Sequence, residues 1–228
     1  MPLTSFIEVF FSKPPMSPRR LFLLSPAYAG GKRAGYLLRE GADFELARQM
    51  HAQGGAPIGD VLAFLSGLYF RGKLAYARAF AAPPGGVAGG LVITPDRGLL
   101  PMDALVTLND LRGMATVPVD AADARYREPL LRDAMELATA LKEDDEVVLL
   151  GSIATGKYVD VLDDALCGRL RFPAEFVGRG DMSRGGLMLR CAAAGEELRY
   201  VPIAGACRRG KRPARLGPPV SGAQNPRR

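Results

Sequence analysis

The stretch EVVLLGSIATGKYVD, residues 146–160, decides the reading of the fold. Glu146 to Leu150 is a short, continuous apolar run, the pattern of a strand buried on both faces. A glycine-bearing turn follows, and VDVLDDAL (Val159 to Leu166) then has the spacing of a short helix. Strand, tight loop and helix in that order form the repeating unit of a parallel sheet.

The pattern recurs on both sides. LFLLSPA (Leu21 to Ala27) and GLVITPD (Gly90 to Asp96) are further buried-strand runs, the second closed by Pro95, which cannot donate to a central ladder. RLRFPAEF reads as a fourth strand or extended segment, and ELRYVPI as a last strand at an edge, given Pro202. GDVLAFLSGLYFRGKLAYARAFA (Gly59 to Ala81) places Val61, Leu62, Leu65, Leu68, Tyr69, Tyr76 and Phe80 close to helical spacing, with Gly67 and Gly72 as weak points. DAADARYREPLLRDAMELATALK (Asp120 to Lys142) is the clearest helix, and MSRGGLMLRCAAAG is another. YAGGKRAG reads as a loop.

The predicted fold is therefore α/β: a three-layer α/β/α arrangement with a mostly parallel central sheet. Residues 21–207 form a single domain, residues 1–20 an N-terminal arm, and residues 208–228 a basic tail predicted to be disordered. The formal charge of +6 belongs to that tail. RRGKRPARLGPPVSGAQNPRR holds seven of the 30 Lys and Arg and none of the 24 acids, which leaves the rest of the chain near neutrality. Such a tail can track phosphates non-specifically. No run of about 18 apolar residues is present to span a bilayer, and MPLTSFIEVFFSKPP lacks the order of a signal peptide, so a cytoplasmic location is expected. Cys167, Cys191 and Cys207 are scattered and odd in number, so neither a disulfide framework nor a zinc site is indicated; no metal and no cofactor is expected. The one histidine, His51, ends a predicted helix, where a solvated or helix-terminal role is expected rather than that of a catalytic base.

Four loops carry candidate chemistry. In the first, Gly151, Ser152, Thr155, Gly156 and Lys157 come one residue short of a Walker A loop, whose backbone N–H groups and lysine cradle phosphate. Tyr158 stands where the magnesium-binding Ser or Thr belongs, so an anion- or base-binding loop is favoured over an ATPase or kinase site. In the second, FVGRGDMSRGGLMLR, Asp181 or Ser183 suits a helix N-cap, while Arg179 and Arg184 set guanidinium forks around it. The third, SPAYAGGKRAG, offers Ser25 and Lys32. The fourth, TPDRGLLPMD, offers Asp96 and Asp103 as acids. All four follow strand candidates, where α/β sheets bind ligands.

The segments LSPAYAGGKRAG, SGLYFRGKLAYARAFA, LVITPDRGLLPMDALVTL and EVVLLGSIATGKYVDVL resemble, in that order, those of the YaaA-like peroxide-stress family. The matching positions are Leu68, Tyr69, Phe70, Lys73 and Tyr76, then Gly98, Leu99, Leu100 and Asp103. The resemblance implies a three-layer fold akin to uracil-DNA glycosylase and a tilt toward nucleobases, nucleotides or DNA. It also implies that Tyr69 and Lys73 face the cleft near Asp96 or Asp103.

The first expectation is a nucleotide- or nucleic-acid-directed enzyme, a hydrolase or glycosidase acting at a base or glycosidic bond. Asp96 or Asp103 would supply the carboxylate, Lys157, Arg179 and Arg184 would hold phosphate, and Tyr69 or Tyr158 would stack on a base. The alternative is a non-catalytic nucleotide- or DNA-binding module using the same loops and the tail.

Overall fold

The computed structural model of the chain describes residues 18–52, 54–214 and 217. Three apolar runs form the centre of the sheet. They are β1 (Arg20–Leu24), β3 (Gly90–Ile93) and β6 (Glu146–Leu150), and almost every residue in them is buried. Burial on both faces requires helices above and below, which in a parallel sheet the crossover connections supply.

The six-stranded sheet has the order β4-β3-β1-β6-β7-β8, where β4 is Leu99–Pro101, β7 is Leu170–Pro173 and β8 is Tyr200–Pro202. β3, β1, β6 and β7 run parallel; β4 and β8 pair antiparallel at the two edges. The chain leaves β1 toward β3 on one side and later reaches β6 on the other, so the strand order reverses between β1 and β6. The ladder there aligns Leu24 with Leu150 and continues one step further, with Ser25 N–H donating to Leu150 O at 3.2 Å.

Between β1 and β3 lie α1 (Lys32–Leu38), α2 (Glu45–His51), α3 (Ile58–Ser66) and α4 (Leu68–Phe80). A two-residue strand, β2 (Ala56–Pro57), pairs with β5 (Leu105–Val106) in a small separate ribbon. α5 (Leu108–Thr116) begins with a reciprocal capping box between Thr107 and Asp110. α6 (Ala124–Ala140) is capped by Asp123, whose carboxylate accepts from Arg125 N–H at 3.0 Å. α7 (Gly156–Ala165) follows β6, and α8 (Asp181–Ala194) lies between β7 and β8. With the right-handed crossovers general for parallel strands, this strand order assigns α4 to one face and α6 with α7 to the other; α4 touches β1 and β3, and α6 touches α7. α8 packs on α4, which completes three layers.

Several details depart from the sequence reading for local reasons. The single helix expected over 59–81 is two, because Gly67 adopts φ +64, which ends α3 and starts α4. The loop expected at YAGGKRAG already turns helical at Lys32. TPDRGLLP is a hairpin: Thr94 Oγ1 donates to Gly98 O at 2.8 Å, Gly98 has φ +74, and Leu99 N–H donates to the Asp133 carboxylate.

At the start of the described chain, Arg19 and Arg20 already belong to the fold. Arg19 binds the buried Asp145, and Arg20 pairs with Glu146 and Glu197. The N-terminal arm therefore lies outside the described residues up to position 17. At the other end, Gly210 and Lys211 pack against Val177 and Gly178, so the first part of the basic segment runs along the body; most of the remainder falls outside the described residues.

Among the described residues, no helix is long and apolar enough to cross a membrane, and no group of three or more His, Cys, Asp or Glu is placed to hold a metal ion.

Candidate functional site

The reversal of strand order between β1 and β6 opens a crevice at their carboxyl ends, where open α/β sheets bind ligands. β1 delivers Ser25, Pro26, Ala27 and Tyr28 to it. β6 and the turn into α7 deliver Ser152, Lys157 and Tyr158, while α4 contributes Tyr69 and α8 contributes Asp181. The cavity is about 350 Å³ and mixed in polarity.

An adjoining cavity of about 500 Å³ shares Pro26, Ala27, Tyr28, Lys157 and Tyr158. Its far wall is more apolar, formed by Pro95, Met114, Ala115, Val117, Pro118 and Val119. Tyr28 is 75% exposed at the junction of the two halves. The crevice therefore has a polar half and an apolar half, with two tyrosines and a lysine between them.

The polar half is built around a buried amine. Lys73 is 1% exposed, and its Nζ donates to Ser25 O and Ser25 Oγ, both at 2.7 Å. It also sits 3.9 Å from the centre of the Tyr69 ring and 5.4 Å from that of Phe70. Burial without a carboxylate partner pushes the amine down to about 7; Asp181 raises it from a distance, and the Arg184 and Lys157 charges lower it.

The phenols respond in the opposite sense. Burial raises Tyr69 to about 12, moderated by Arg184 and Ser25, and raises Tyr158 as well. Among the described residues, the buried Tyr69 Oη has no hydrogen bond of good geometry, although Arg184 and Ser25 lie close enough to lower its pKa. Each such group in a native fold asks for an explanation, and a ligand is one.

This placement depends on how α4 meets α8. Gly72 and Gly185 face each other with their backbones in contact: a Cβ on Gly72 would lie 2.6 Å from Gly185 O, and one on Gly185 would lie 2.6 Å from Leu68 O. The close crossing brings Tyr69 and Lys73 beside Asp181 and Arg184.

The expected site residues separate into three groups. Ser25, Tyr69, Ser152, Lys157, Tyr158 and Asp181 meet in the crevice, and Lys73 lies directly behind Ser25. Gly151 packs against Ser25, where a Cβ would come 3.0 Å from that of Ser25, and the exposed Thr155 and half-buried Gly156 form the entry to α7. The loop is thus a strand-to-helix turn, as its sequence suggests, with the Tyr158 side chain turned into the crevice wall.

FVGRGDMSRGGLMLR divides. Asp181 faces the crevice, and the buried Arg184 donates to Phe176 O from Nε and Nη2, at 3.2 and 3.1 Å. Arg179 and Ser183 bond each other at 3.2 Å and line a different groove, with Arg190 and Arg212. The N-cap of α8 is Gly180 rather than Asp181 or Ser183, because Asp181 is already the first helical residue.

The expected catalytic acids lie elsewhere. Asp96 is bound by Arg97, which also holds Asp110, on the β3–β4 hairpin beside the apolar half. Asp103 is 70% exposed and paired with Arg78. It follows β4, which runs antiparallel to β3, so it stands at the opposite end of the sheet from Ser25. Lys32 is exposed at the start of α1 and outside the crevice. The one carboxylate lining the polar half is Asp181.

No protein-family model, curated protein or solved structure matches the chain. The functional reading rests on this geometry.

Proposed function

We propose that the crevice between β1 and β6 binds a nucleotide or nucleoside, free or at an exposed nucleic-acid position, and that the protein is nucleotide- or nucleic-acid-directed. The observation that carries this reading is the two-part cavity, with Lys157 and Tyr158 in both halves and Tyr28 over their junction. Its size falls within the range of small-molecule sites. The apolar half suits a base, against which Tyr28 or Tyr158 stacks, and the polar half suits a sugar or phosphate near Lys157. The resemblance to YaaA-like domains points the same way.

A carboxylate mechanism at a glycosidic bond finds less support, since Asp96 and Asp103 do not reach the polar half. Asp181 would take that role in an enzyme of this type.

The test is a thermal-shift screen of the full chain against bases, nucleosides, nucleotides and short DNA. A ligand at a hundred times its Kd stabilises by about 2.7 kcal/mol. The expected result is a shift with nucleotides that shrinks in Lys157→Ala while the nucleoside shift persists. A cooperative melt that no member of the series moves would overturn the reading.

A further inference from the structure

Ser25 lines the crevice, although only 4% of it is exposed, and Lys73 does not; the amine is 1% exposed, with both of its hydrogen bonds on Ser25. This is the relation of a serine nucleophile to a lysine base, in which the nucleophile faces the substrate and the base is held 2.7 Å away, in hydrogen-bond reach. We propose that Ser25 Oγ is a nucleophile activated by Lys73 Nζ as its base, and that the crevice acts on an acyl ester.

Three features support the assignment. An unpaired buried ammonium is costly, so the site favours the neutral amine, whose lone pair can accept the Oγ–H while one N–H still donates to Ser25 O. The charged or titratable groups around it are Tyr69 on α4, Asp181 and Arg184 on α8, and Lys157 on α7; burial outweighs Asp181, which is 68% exposed and the strongest of the nearby charges in favouring the ammonium, and the two cations act with burial toward neutrality. The weak contact of Ser25 Oγ with Leu150 O, at 3.2 Å, can be given up, because that carbonyl already accepts from Ser25 N–H.

The third feature is the orphaned phenol of Tyr69. It lines the same cavity as Ser25, its oxygen has no well-formed hydrogen bond although Arg184 and Ser25 lie near it, and burial keeps it protonated. It is a donor available to a developing oxyanion, as in acyl-transfer sites generally.

The chemistry is as follows. The amine takes the Oγ proton as Oγ bonds to the ester carbonyl carbon, and the carbonyl electron pair moves onto oxygen beside Tyr69. Collapse breaks the bond to the alcohol oxygen, which leaves with the proton from the Lys73 ammonium. A water then gives a proton to the same amine as its oxygen bonds to the acyl carbon; collapse breaks the acyl carbon–Oγ bond, Oγ takes the proton back from the Lys73 ammonium, and the products are a carboxylic acid and the original serine. No oxidant, reductant or metal enters either half.

The inference shares the crevice with the proposed function but does not need a nucleotide to fill it. The test treats the full chain with an alkyl fluorophosphonate, which traps activated serines, and follows intact mass and peptide mapping from pH 5.5 to 9. The expected outcome is one adduct, on Ser25, forming faster as pH rises through a midpoint near 7. Ser25→Ala should lose it, and Lys73→Met should slow it about 100-fold or more.

If Lys73→Met fails to fold, the wild-type pH profile still decides. Absence of a Ser25 adduct throughout the range, or a rate that climbs only above pH 9, would overturn the proposal. Labelling without any nucleotide-induced shift keeps the dyad and removes the ligand assignment; a nucleotide shift without labelling removes the dyad alone.

Discussion

Gly72 of α4 and Gly185 of α8 bring two helix backbones into contact, and a Cβ on Gly72 would stand 2.6 Å from the Gly185 carbonyl oxygen. Nothing larger than hydrogen fits between them without moving a helix. One residue further along α4 sits Lys73, and one residue earlier on α8 sits Arg184, so the spacing of the crossing also sets the spacing of the buried charges. Gly72→Ala and Gly185→Ala should each destabilise the fold by about 1–3 kcal/mol, the usual cost of overpacking. Chemical denaturation reads that loss directly. Both variants should also blunt the reactivity of Ser25 at temperatures where they remain folded.

The sheet was legible in the sequence because a strand buried on both faces reads as an unbroken apolar run, and LFLL, GLVI and EVVLL are such runs, short and bounded by turn residues. The antiparallel β4 was not, since Leu99 to Pro101 is too short to show a period and its pairing depends on a turn held by Gly98 and Asp133. The site was half legible. Loops after strands named Ser25, Lys157, Tyr158 and Asp181, but the direction of the chain at Asp103 is settled by that antiparallel edge, which sends it to the far end. Ser25 and Lys73 are 48 residues apart, and no local pattern announces their contact. The nearest signal was a lysine on the otherwise apolar face of α4.

Stability should follow pH through the same amine. The unfolded chain holds the Lys73 proton up to about pH 10.4, whereas the folded chain releases it near 7. Between those values the unfolded state binds more protons, so stability rises with pH, by at most about 1.4 kcal/mol per unit. Above about pH 10 the buried tyrosines reverse the slope, because Tyr69 and its neighbours stay protonated in the fold after unfolded tyrosine has ionised. Urea denaturation from pH 6.5 to 9.5 should show the rise in the wild type and its absence in Lys73→Met.

Asp145 should matter more than any acid in the loops. It is 3% exposed, accepts from Arg19 Nε at 2.8 Å and Nη2 at 3.0 Å, and caps Lys142 N–H at 2.8 Å. Asp145→Ala leaves a partly buried guanidinium and a backbone donor without their acceptor. A loss of about 2–4 kcal/mol is expected from comparable broken pairs, read as a lower urea midpoint.

Asp103→Asn provides the contrast. The side chain is exposed, paired only with Arg78, and remote from Ser25. Stability should change by no more than about 0.5 kcal/mol, and neither the nucleotide-induced shift nor the labelling of Ser25 should move. A loss of either in a folded Asp103→Asn protein would restore this carboxylate to the site.

The central claim is that burial lowers the Lys73 amine beside Ser25 far enough for its uncharged form to be well populated near neutral pH. The most direct measurement is an NMR titration of protein labelled with carbon-13 at the lysine side chains, with the Lys73 signal assigned by its loss in Lys73→Met. The account predicts a midpoint near 7 for that one signal. A Lys73 signal that stays in its charged position until about pH 10, like an ordinary lysine, would contradict it.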